Sequence, residues 1–474
     1  MKLFEPLAIG GMVIPNRIMV PAMVTRLSGE DGFVNQAISD RYAGYAAGGV
    51  GLVVVEAMAV HHAKSGPLLR ISEDKYVPGL ADMVKRIHDT SDSKVVPQII
   101  HFMKVARTGW RQTVDTLALQ EIDAIVEQFG DAVRRARSAG FDGAELHAAH
   151  AYTLASFLSR ANRRSGEYGG DSLEGRLRLI GRVMENIRRK VGADFPVCIR
   201  IDSEEFIRDG YTVEDSKLIA LRLAQLGFGY ISLSVGGKFE DAIHKPGEVP
   251  YPYTGYSGDR AMPGNWYPPM VHAHLAAEIR SFVRAKGYQV PIAVAGKISD
   301  PDDAESVIAG GKADIVAIAR GLLADPYWPT KVRAGQRDRI VQCDYCNYCK
   351  DLDGTHKEVV CYLWPKGARH APAYEPEGTA PQWGADGGAL RAEIRGRGAA
   401  LRWSKPSGAV VHYDVYRADD ERKVRIVDGV KANQWTDATI LGGVRYRYYV
   451  RACDASGASS APSNSVLVEP PVPS

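Results

Sequence analysis

The sequence has no stretch of about 18 consecutive apolar residues, so we expect no segment that spans a membrane. Its first residues, Met1 to Pro6, contain no apolar core of the kind found in secretory signals, and we therefore expect a cytoplasmic location. An excess of one charge sign is also lacking, because 59 basic residues stand against 56 acidic ones. Binding to nucleic acid or to an anionic membrane needs a basic surface, so neither partner is expected.

Cysteine is scarce, and its six residues are too few for a disulfide scaffold. Cys198 and Cys453 are isolated, whereas the other four share one short segment, with spacings of two, two and eleven residues. Three thiolates two residues apart can hold one face of a four-iron cluster, which a fourth, more distant thiolate completes. Structural zinc more often uses two separate C-x2-C pairs. The spacing therefore favours a [4Fe–4S] cluster over zinc or unligated thiols, with the ligands Cys343, Cys346, Cys349 and Cys361.

The first 335 residues alternate short β-branched runs with amphipathic helices, which predicts eight β/α units. The runs are mostly apolar throughout, as expected for strands that are covered on both faces. The candidate strands are Arg17–Pro21, Gly51–Glu56, Lys94–Ile99, Gly143–His147, Pro196–Asp202, Tyr230–Ser234, Pro291–Ala295 and Asp314–Ala319. This pattern predicts an α/β fold of the (β/α)8 TIM-barrel type. A doubly wound sheet is the alternative, but its G-x-G-x-x-G fingerprint is missing after the first strand.

The rest of the chain changes character after the barrel. A segment rich in Pro and Gly predicts a linker, and alternating apolar residues beyond it predict a small all-β sandwich. The predicted parts are a barrel at 1–335, an iron–sulfur segment at 336–370, a linker at 371–387 and a β-sandwich at 388–470.

Polar residues cluster where the predicted barrel strands end, which is where TIM barrels carry their functional groups. The fourth strand ends with His147, His150 and Tyr152. Imidazoles can hydrogen-bond a carbonyl or phenolate oxygen, and a phenol can deliver a proton. A turn in which the histidines only cap loops is the alternative, but all three residues at one strand end favour catalysis.

Other strand ends carry groups that suit a charged ligand. Arg200 on the fifth strand is an obligate cation, for which a salt bridge to Asp202 is the purely structural alternative. Gly296 and Lys297 follow the seventh strand, and Ala319 and Arg320 follow the eighth. Because the loops after these two strands form the usual phosphate site of the fold, we expect them to bind a phosphate monoester.

Several motifs, in this order, resemble the old yellow enzyme family of FMN-dependent oxidoreductases over about residues 1–335. They are Asn16-Arg17-Ile18 with Pro21-Ala22-Met23, Gln98-x2-His101, His147-x2-His150-x-Tyr152, the stretch from Asn162 to Arg176, and Ala319-Arg320-x2-Leu323-Ala324-Asp325-Pro326. With the cysteine cluster added, the chain is similar to the iron–sulfur branch, which includes 2,4-dienoyl-CoA reductase and trimethylamine dehydrogenase. The last part resembles a fibronectin type III domain in residues such as Trp403, Tyr413 and Tyr448.

The resemblance implies a role for each motif residue. FMN would be bound by Ala22 and Met23 beside its ring, Gln98 at its pyrimidine edge, Arg200 at N1 and O2, and Gly296, Lys297, Ala319 and Arg320 at its phosphate. His147 and His150 would bind the activating oxygen of the substrate, and Tyr152 would donate a proton. The four clustered cysteines would hold the [4Fe–4S] centre.

The chain also departs from the dienoyl-CoA reductase pattern. No dinucleotide fingerprint follows Cys361, so we expect electrons to come from NAD(P)H at the barrel or from an external electron-transfer protein. Lys238-Phe239-Glu240 replaces a His-Glu pair, which leaves His244 as the candidate substitute and argues against a dienoyl-CoA substrate.

Three functional hypotheses follow. The favoured one is an ene-reductase that transfers hydride from FMN N5 to the activated C=C bond of a small unsaturated carbonyl or thioester, with protonation by Tyr152. The second is an oxidative N-demethylase or amine dehydrogenase that exports electrons through the cluster, with the aromatic residues between Tyr251 and Tyr267 as a cage for a cation. The third is a non-catalytic electron-transfer subunit. A homo-oligomer is compatible with all three.

Overall fold

A computed structural model of the chain describes residues 1–62, 66–374, 381–396, 398–418, 423–454 and 459–472, without the side chains of residues 423 and 424. Part of the predicted linker, residues 375–380, lies outside the described residues. The chain divides into two compact units. The first comprises Met1–Leu322 and Cys349–Val359, and the second comprises Leu323–Tyr348 and Val360–Ser474.

The first unit contains a closed barrel of eight parallel strands, which confirms the predicted TIM barrel. A short hairpin of β1 (Leu7–Ile9) and β2 (Met12–Ile14) precedes it. The barrel strands are β3 (Ile18–Val20), β4 (Leu52–Ala59), β5 (Lys94–Ile100), β6 (Ala144–Ala148), β7 (Val197–Asp202), β8 (Ile231–Ser234), β9 (Ile292–Val294) and β10 (Ile315–Ala317). β10 pairs with β3 and closes the barrel. Each of these strands overlaps one of the predicted apolar runs.

Twelve α-helices lie in the described residues. They are α1 (Gln36–Ala47), α2 (Val77–Thr90), α3 (Leu119–Ser138), α4 (Thr153–Leu158), α5 (Leu173–Val191), α6 (Val213–Gln225), α7 (Gly255–Ala261), α8 (Ala273–Ala285), α9 (Pro301–Ala309), α10 (Arg320–Ala324), α11 (Trp328–Arg333) and α12 (Tyr348–Gly354). α5 begins where the Ser172 hydroxyl accepts a hydrogen bond from the Gly175 N–H, and it ends at Gly192, whose φ of +77° favours glycine. Within the described part of the chain, no helix has the length and apolar character needed to cross a membrane.

The inside of the barrel changes from apolar to polar along its axis. At the end where the strands begin, the hairpin packs against an apolar layer that includes Ile14, Leu52, Val96 and Cys198. Because side chains two positions apart on a strand point the same way, residues further along these strands continue the interior lining. On β7, Cys198 in the apolar layer is therefore followed by Arg200 and then by Asp202 at the opposite end, the barrel mouth.

The second unit carries antiparallel β-structure, which confirms the all-β part of the predicted architecture. Its strands are β11 (Arg391–Arg395), β12 (Gly398–Arg402), β13 (His412–Ala418), β14 (Lys423–Val430), β15 (Gln434–Asp437), β16 (Tyr446–Cys453) and β17 (Val466–Val468). One sheet has the order β11-β12-β15 and the other the order β14-β13-β16-β17. Inward side chains such as Leu401, Tyr413 and Tyr448 form their common core.

Substitution of Gly51 tests the close approach of the first two barrel strands. A Cβ at Gly51 would lie 2.1 Å from the Asn16 carbonyl oxygen, so Gly51→Ala must displace backbone. We expect it to lower the free energy of unfolding by at least about 2 kcal/mol, measured by denaturant unfolding. The matched control is Gly44→Ala in α1, where a Cβ has no neighbour within 4 Å. Because alanine favours a helix more than glycine does, this control should raise the free energy of unfolding by up to about 1 kcal/mol. Equal effects of the two substitutions would contradict this packing.

Candidate active site at the barrel mouth

The functional side chains predicted on the middle strands share one wall of the barrel interior. In the strand register, Gln98 on β5 pairs with Glu145 on β6, and His147 on β6 pairs with Arg200 on β7. Glu145 and His147 are two residues apart and therefore point the same way. Period-two alternation thus brings these side chains to the same inner face of the barrel wall.

Glu145 fixes the orientation of Gln98. The Gln98 amide Nε2 donates to Glu145 Oε1 at 2.7 Å, and the Tyr230 hydroxyl donates to Glu145 Oε2 at 2.7 Å. Burial raises the pKa of Glu145, whereas the nearby charge of Arg200 lowers it. Glu145 and Tyr230 are interior partners that strand composition alone did not single out.

Arg200 brings a cation to the inside of the mouth. Its Nη1 donates to Ser232 Oγ at 2.8 Å, and only 9% of the residue is exposed. The salt bridge to Asp202 that was considered from the sequence does not form, because Asp202 pairs with Lys238. The positive charge of Arg200 therefore acts on the groups around it, including the two histidines of β6 and its loop.

His147 is a buried, neutral histidine with an unused ring nitrogen. Burial, followed by the charge of Arg200, lowers the pKa of His147 to about 3. Among the described residues, its Nδ1 is buried without a hydrogen-bond partner. Its ring centroid lies 5.2 Å from that of His150 and 5.0 Å from that of Tyr152. Because an unpaired buried polar atom costs about 1–3 kcal/mol, this nitrogen fits a site that receives a ligand atom.

His150 uses both ring nitrogens within the protein. Nε2 lies 2.6 Å from Ser234 Oγ, and Nδ1 lies 3.1 Å from the Tyr253 hydroxyl. Burial, together with the positive charges of Arg200 and Lys238, holds the pKa of His150 well below its usual value. The structure thus distinguishes the two histidines, since His147 presents the unused nitrogen and His150 is tied to its neighbours.

Tyr253 is a residue of the site that reasoning from the sequence assigned only to an aromatic loop. Its hydroxyl hydrogen-bonds His150 and also interacts with the hydroxyl of Tyr152. Burial raises the pKa of both tyrosines, so both phenols stay protonated at neutral pH. Beside them, the Tyr251 hydroxyl donates to Asp353 Oδ2 at 2.6 Å, and Arg26 Nε donates to Asp353 Oδ1 at 2.8 Å.

A buried ion triad supports the loop that carries His150. Lys238 Nζ lies 2.6 Å from Glu205 Oε1 and 3.3 Å from Asp202 Oδ2. Burial lowers the pKa of Lys238, but the two carboxylates outweigh it and hold that pKa above its usual value. Burial raises the pKa of Asp202 to about 6. Asp202 Oδ2 also accepts the backbone N–H of His150 at 3.1 Å, so the triad anchors this turn.

The anchored turn has an uncommon backbone. His150 and Ala151 have φ values of +56° and +59°, which side chains other than glycine rarely adopt and which cost about 1 kcal/mol or more each. The hydrogen bond that the His150 N–H donates to Asp202 offsets part of that cost.

The candidate substitute His244 lies elsewhere. Its Nε2 contacts the carbonyl oxygens of Arg107 and Glu248 at 3.0 and 3.1 Å in an exposed loop. Glu240 pairs with Arg111 at 2.8 Å. Neither residue joins the group of side chains around His147.

The residues that we expect to bind the phosphate lie at the ends of the last two barrel strands. Gly296 has a φ of +131°, and a Cβ there would lie 2.6 Å from the His272 ring, so the position requires glycine. Lys297 Nζ donates to the carbonyl oxygens of Asn265, at 3.0 Å, and Tyr267. Arg320 Nη1 donates to the Pro263 carbonyl oxygen at 2.9 Å. The main chain at Gly296, beside the cationic side chains of Lys297 and Arg320, is a set of donors that fits a phosphate.

The residues expected beside the flavin ring lie at the end of β3. Ala22 is half-buried and packs against the apolar layer of the barrel, and Met23 follows it, also half-buried. Ala319 is half-buried beside Arg320. The predicted cofactor residues therefore fit FMN in the nature of their donors and in the cradle at Gly296.

Each clustered cysteine is described within its own unit. Cys343, Cys346 and Cys361 lie in the second unit, and Cys349 lies in the part of α12 that belongs to the first. In the turn after Cys343, the Tyr345 N–H donates to Cys343 Sγ at 3.4 Å, and the φ of Tyr345 is +58°. A backbone N–H directed at sulfur stabilises a thiolate, the ligand form of cysteine. Thiols beside such a turn are the type of donor that a [4Fe–4S] cluster takes.

The neutral state of His147 predicts a pH dependence of stability. In the unfolded chain a histidine has a pKa near 6.5, whereas folding lowers that of His147 to about 3. Below about pH 6.5 the unfolded state therefore binds a proton that the folded state does not, and the free energy of unfolding falls as pH falls, by at most about 1.4 kcal/mol per pH unit for one proton. His147→Asn should remove this contribution. Between pH 7 and pH 5, the free energy of unfolding measured with denaturant should therefore fall less steeply in this variant than in the wild type.

The control for that series is His370→Asn, which replaces an exposed histidine. It should leave the wild-type pH dependence unchanged. An equally steep loss of stability in His147→Asn and in the wild type would mean that His147 is not held neutral by the fold.

The chain matches the NADH:flavin oxidoreductase / NADH oxidase family over residues 2–114, 103–233 and 269–339. It is 35% identical to NADH oxidase from Thermoanaerobacter brockii over 367 residues, which cover 73% of this chain and 53% of that protein. It is 30% identical to N,N-dimethylglycine/sarcosine dehydrogenase from Chromohalobacter salexigens, over 76% of this chain and 52% of that protein. The chain thus spans about half the length of these relatives.

Solved structures agree with the fold. A 2-naphthoyl-CoA reductase in complex with 2-naphthoyl-CoA aligns with a TM-score of 0.67 and 25% identity, over 77% of this chain and 57% of that one. The old yellow enzyme homologue from Zymomonas mobilis aligns with a TM-score of 0.54 and 20% identity, over 71% of this chain and 93% of that one. With the barrel and the family match, the chain belongs to the NADH:flavin oxidoreductase / NADH oxidase family, which confirms the resemblance to the old yellow enzyme family.

Proposed function

We propose that this protein reduces the activated C=C bond of a small unsaturated carbonyl or thioester. The observation that carries the proposal is the buried, unpartnered Nδ1 of His147, which lies beside the phenol of Tyr152 and the cation of Arg200. A carbonyl oxygen that accepts a hydrogen bond at this nitrogen would satisfy it.

FMN and NAD(P)H are the cofactors of the proposal. FMN would be held by Ala22, Met23, Gln98, Arg200, Gly296, Lys297, Ala319 and Arg320. When bound, it supplies a hydride equivalent at N5 that it takes from NAD(P)H or receives as electrons from an external carrier protein.

His147 and Arg200 would stabilise the negative charge that develops on the substrate oxygen. A neutral imidazole can donate from Nδ1, and its hydrogen bond strengthens as a carbonyl oxygen becomes an enolate oxygen. Such a donor in a buried site is worth about 2–4 kcal/mol of the barrier. The charge of Arg200, close enough to lower the pKa of His147, favours the same change in charge.

Tyr152 would deliver the proton to the α-carbon. Burial raises the pKa of its phenol, so the proton is present at neutral pH. Behind it, the Tyr253 hydroxyl lies 3.1 Å from Nδ1 of His150, and His150 Nε2 lies 2.6 Å from Ser234 Oγ. We propose that these side chains hold the Tyr152 ring and hydroxyl in place.

Cys343, Cys346, Cys349 and Cys361 would hold a [4Fe–4S] cluster, which exchanges single electrons when it is present. The spacing of the four cysteines and the N–H bond to Cys343 Sγ support this assignment. An external electron-transfer protein would be the natural exchange partner for such a centre.

Replacing Tyr152 with Phe tests the proton-donor role. Because the ring remains and only the hydroxyl is lost, we expect anaerobic stopped-flow experiments to show alkene reduction about 10²–10⁴ times slower. Reduction of the flavin by NAD(P)H should stay at the wild-type rate. Tyr288→Phe, a substitution on the outside of the barrel after α8, should leave both half-reactions unchanged. An equal loss of rate in both half-reactions of Tyr152→Phe would contradict the role of Tyr152 as the proton donor.

Replacing single cysteines tests the cluster. Anaerobically purified protein should contain about four iron and four sulfide per chain, and Cys361→Ser should lose most of both. Cys198→Ala, which removes a buried thiol from the apolar barrel layer, should keep the full iron content. Zinc in place of iron in the wild type, or unchanged iron in Cys361→Ser, would contradict the proposal.

Oxidation of a small methylated amine is the second candidate function. One relative is named N,N-dimethylglycine/sarcosine dehydrogenase, and the faces of the clustered tyrosines at residues 152, 251 and 253 suit a cation. Anaerobic mixing separates the two functions. An enone should reoxidise the reduced flavin if the first is correct, whereas sarcosine should bleach the oxidised flavin if the second is correct.

A further inference from the structure

Three potential metal ligands share one face of a sheet in the second unit. In the antiparallel register, His412 on β13 is opposite Cys453 on β16, and Asp414 is two residues further along β13. Residues directly opposite each other, and residues two apart on one strand, point to the same face. This face is opposite to the one that carries Tyr413 and Val415 into the sandwich core.

Burial distinguishes this face from an ordinary outer surface. Asp414 and Cys453 are each only 5% exposed, and His412 is half-buried. An Asp that is turned away from the hydrophobic core would normally be solvated. Here the three residues lie next to one another, because the ligand atoms of the three side chains are all within 4.8 Å of one another.

The distances suit a metal ion after small side-chain movements. His412 Nε2 lies 3.5 Å from Asp414 Oδ1. Two ligands of a tetrahedral ion with bonds of about 2.0–2.3 Å are about 3.5 Å apart, so this pair already has the required separation. The Cys453 sulfur lies within 4.8 Å of both atoms, so it must approach them by about 1 Å to reach the third position.

A hydrogen bond orients the Asp414 carboxylate, as is usual for carboxylates that bind metal ions. Its Oδ2 accepts from Arg425 Nη1 at 3.2 Å, and Arg425 Nη2 is itself fixed by a bond to the Trp364 carbonyl oxygen at 2.9 Å. Oδ1 remains on the side of His412 and accepts a long contact of 3.4 Å from the Gly429 N–H. A second hydrogen bond of this kind orients a carboxylate and tunes its affinity for metal.

A cavity of about 100 Å³ adjoins the three residues and is lined by His412, Asp414, Cys453, Tyr416, Tyr449 and Arg451, among others. Since one water occupies about 30 Å³ in the liquid, the cavity can hold an ion and one or two waters. It therefore leaves room for a fourth, non-protein ligand.

We propose that His412, Asp414 and Cys453 bind a zinc-type divalent cation, with water from the cavity as the fourth ligand. Thiolate and imidazole donors select zinc or cobalt over magnesium or calcium, which prefer oxygen alone. Binding replaces the S–H bond of Cys453 with an S–metal bond, and the released proton goes to solvent. The ion would cross-link β13 and β16, and it requires none of the residues assigned to the flavin or the cluster.

Zinc itself is the probe for the test. The full-length protein with its cofactors, kept anaerobic, is titrated with zinc by calorimetry while iron content is measured on the same sample. We expect one zinc per chain in the wild type, and an affinity that is weaker by at least about 100-fold in Cys453→Ser and in His412→Gln. His412 is half-buried, so its variant keeps the test available if Cys453→Ser does not fold.

Two matched variants separate this site from other thiols. Cys198→Ala removes a buried thiol outside the site, and Cys361→Ser removes one proposed cluster ligand; both should keep the zinc at His412. Zinc binding that is unchanged in both Cys453→Ser and His412→Gln, or that is lost in Cys361→Ser, would overturn the proposal. So would a wild-type protein that binds no zinc while its iron is intact.

Discussion

Closure of eight parallel strands into a barrel is the constraint on which the rest of the first unit depends. Every second side chain must enter a closed interior, and the hairpin at one end fills that interior with apolar groups. Polar residues on the same strands can then be accommodated only toward the other end. Gln98, His147 and Arg200 lie together for this reason, although 102 residues separate the first from the last.

Once polar groups occupy a closed interior, an unpaired charge there is costly. Lys238 is compensated by Asp202 and Glu205, and removing one partner of such a buried pair typically costs about 3–5 kcal/mol. His147, by contrast, avoids the cost of a buried charge by remaining neutral. The site therefore combines a fixed cation, Arg200, with a neutral donor, and that combination suits an oxygen that gains negative charge during a reaction.

The barrel strands could be predicted because a continuous apolar run is typical of a strand that is buried on both faces. The trio of His147, His150 and Tyr152 could also be predicted, since it ends a strand. Other contacts of the site depend on loops, whose sequences have no periodicity. The sequence therefore did not indicate that Tyr253 contacts His150, or that Asp202 pairs with Lys238 and not with Arg200. His244 was a plausible substitute by position alone, but main-chain contacts keep it in an exposed loop.

The central claim is that the barrel mouth holds a non-covalent flavin that exchanges electrons with NAD(P)H. The most direct measurement is an anaerobic visible spectrum of the purified protein, followed by titration with NADH and NADPH and by acid treatment to release the chromophore. The account predicts a yellow protein whose flavin absorption is bleached by at least one of the two nucleotides and whose FMN appears in the acid supernatant. A colourless protein that releases no flavin and does not respond to either nucleotide after incubation with FMN would contradict it.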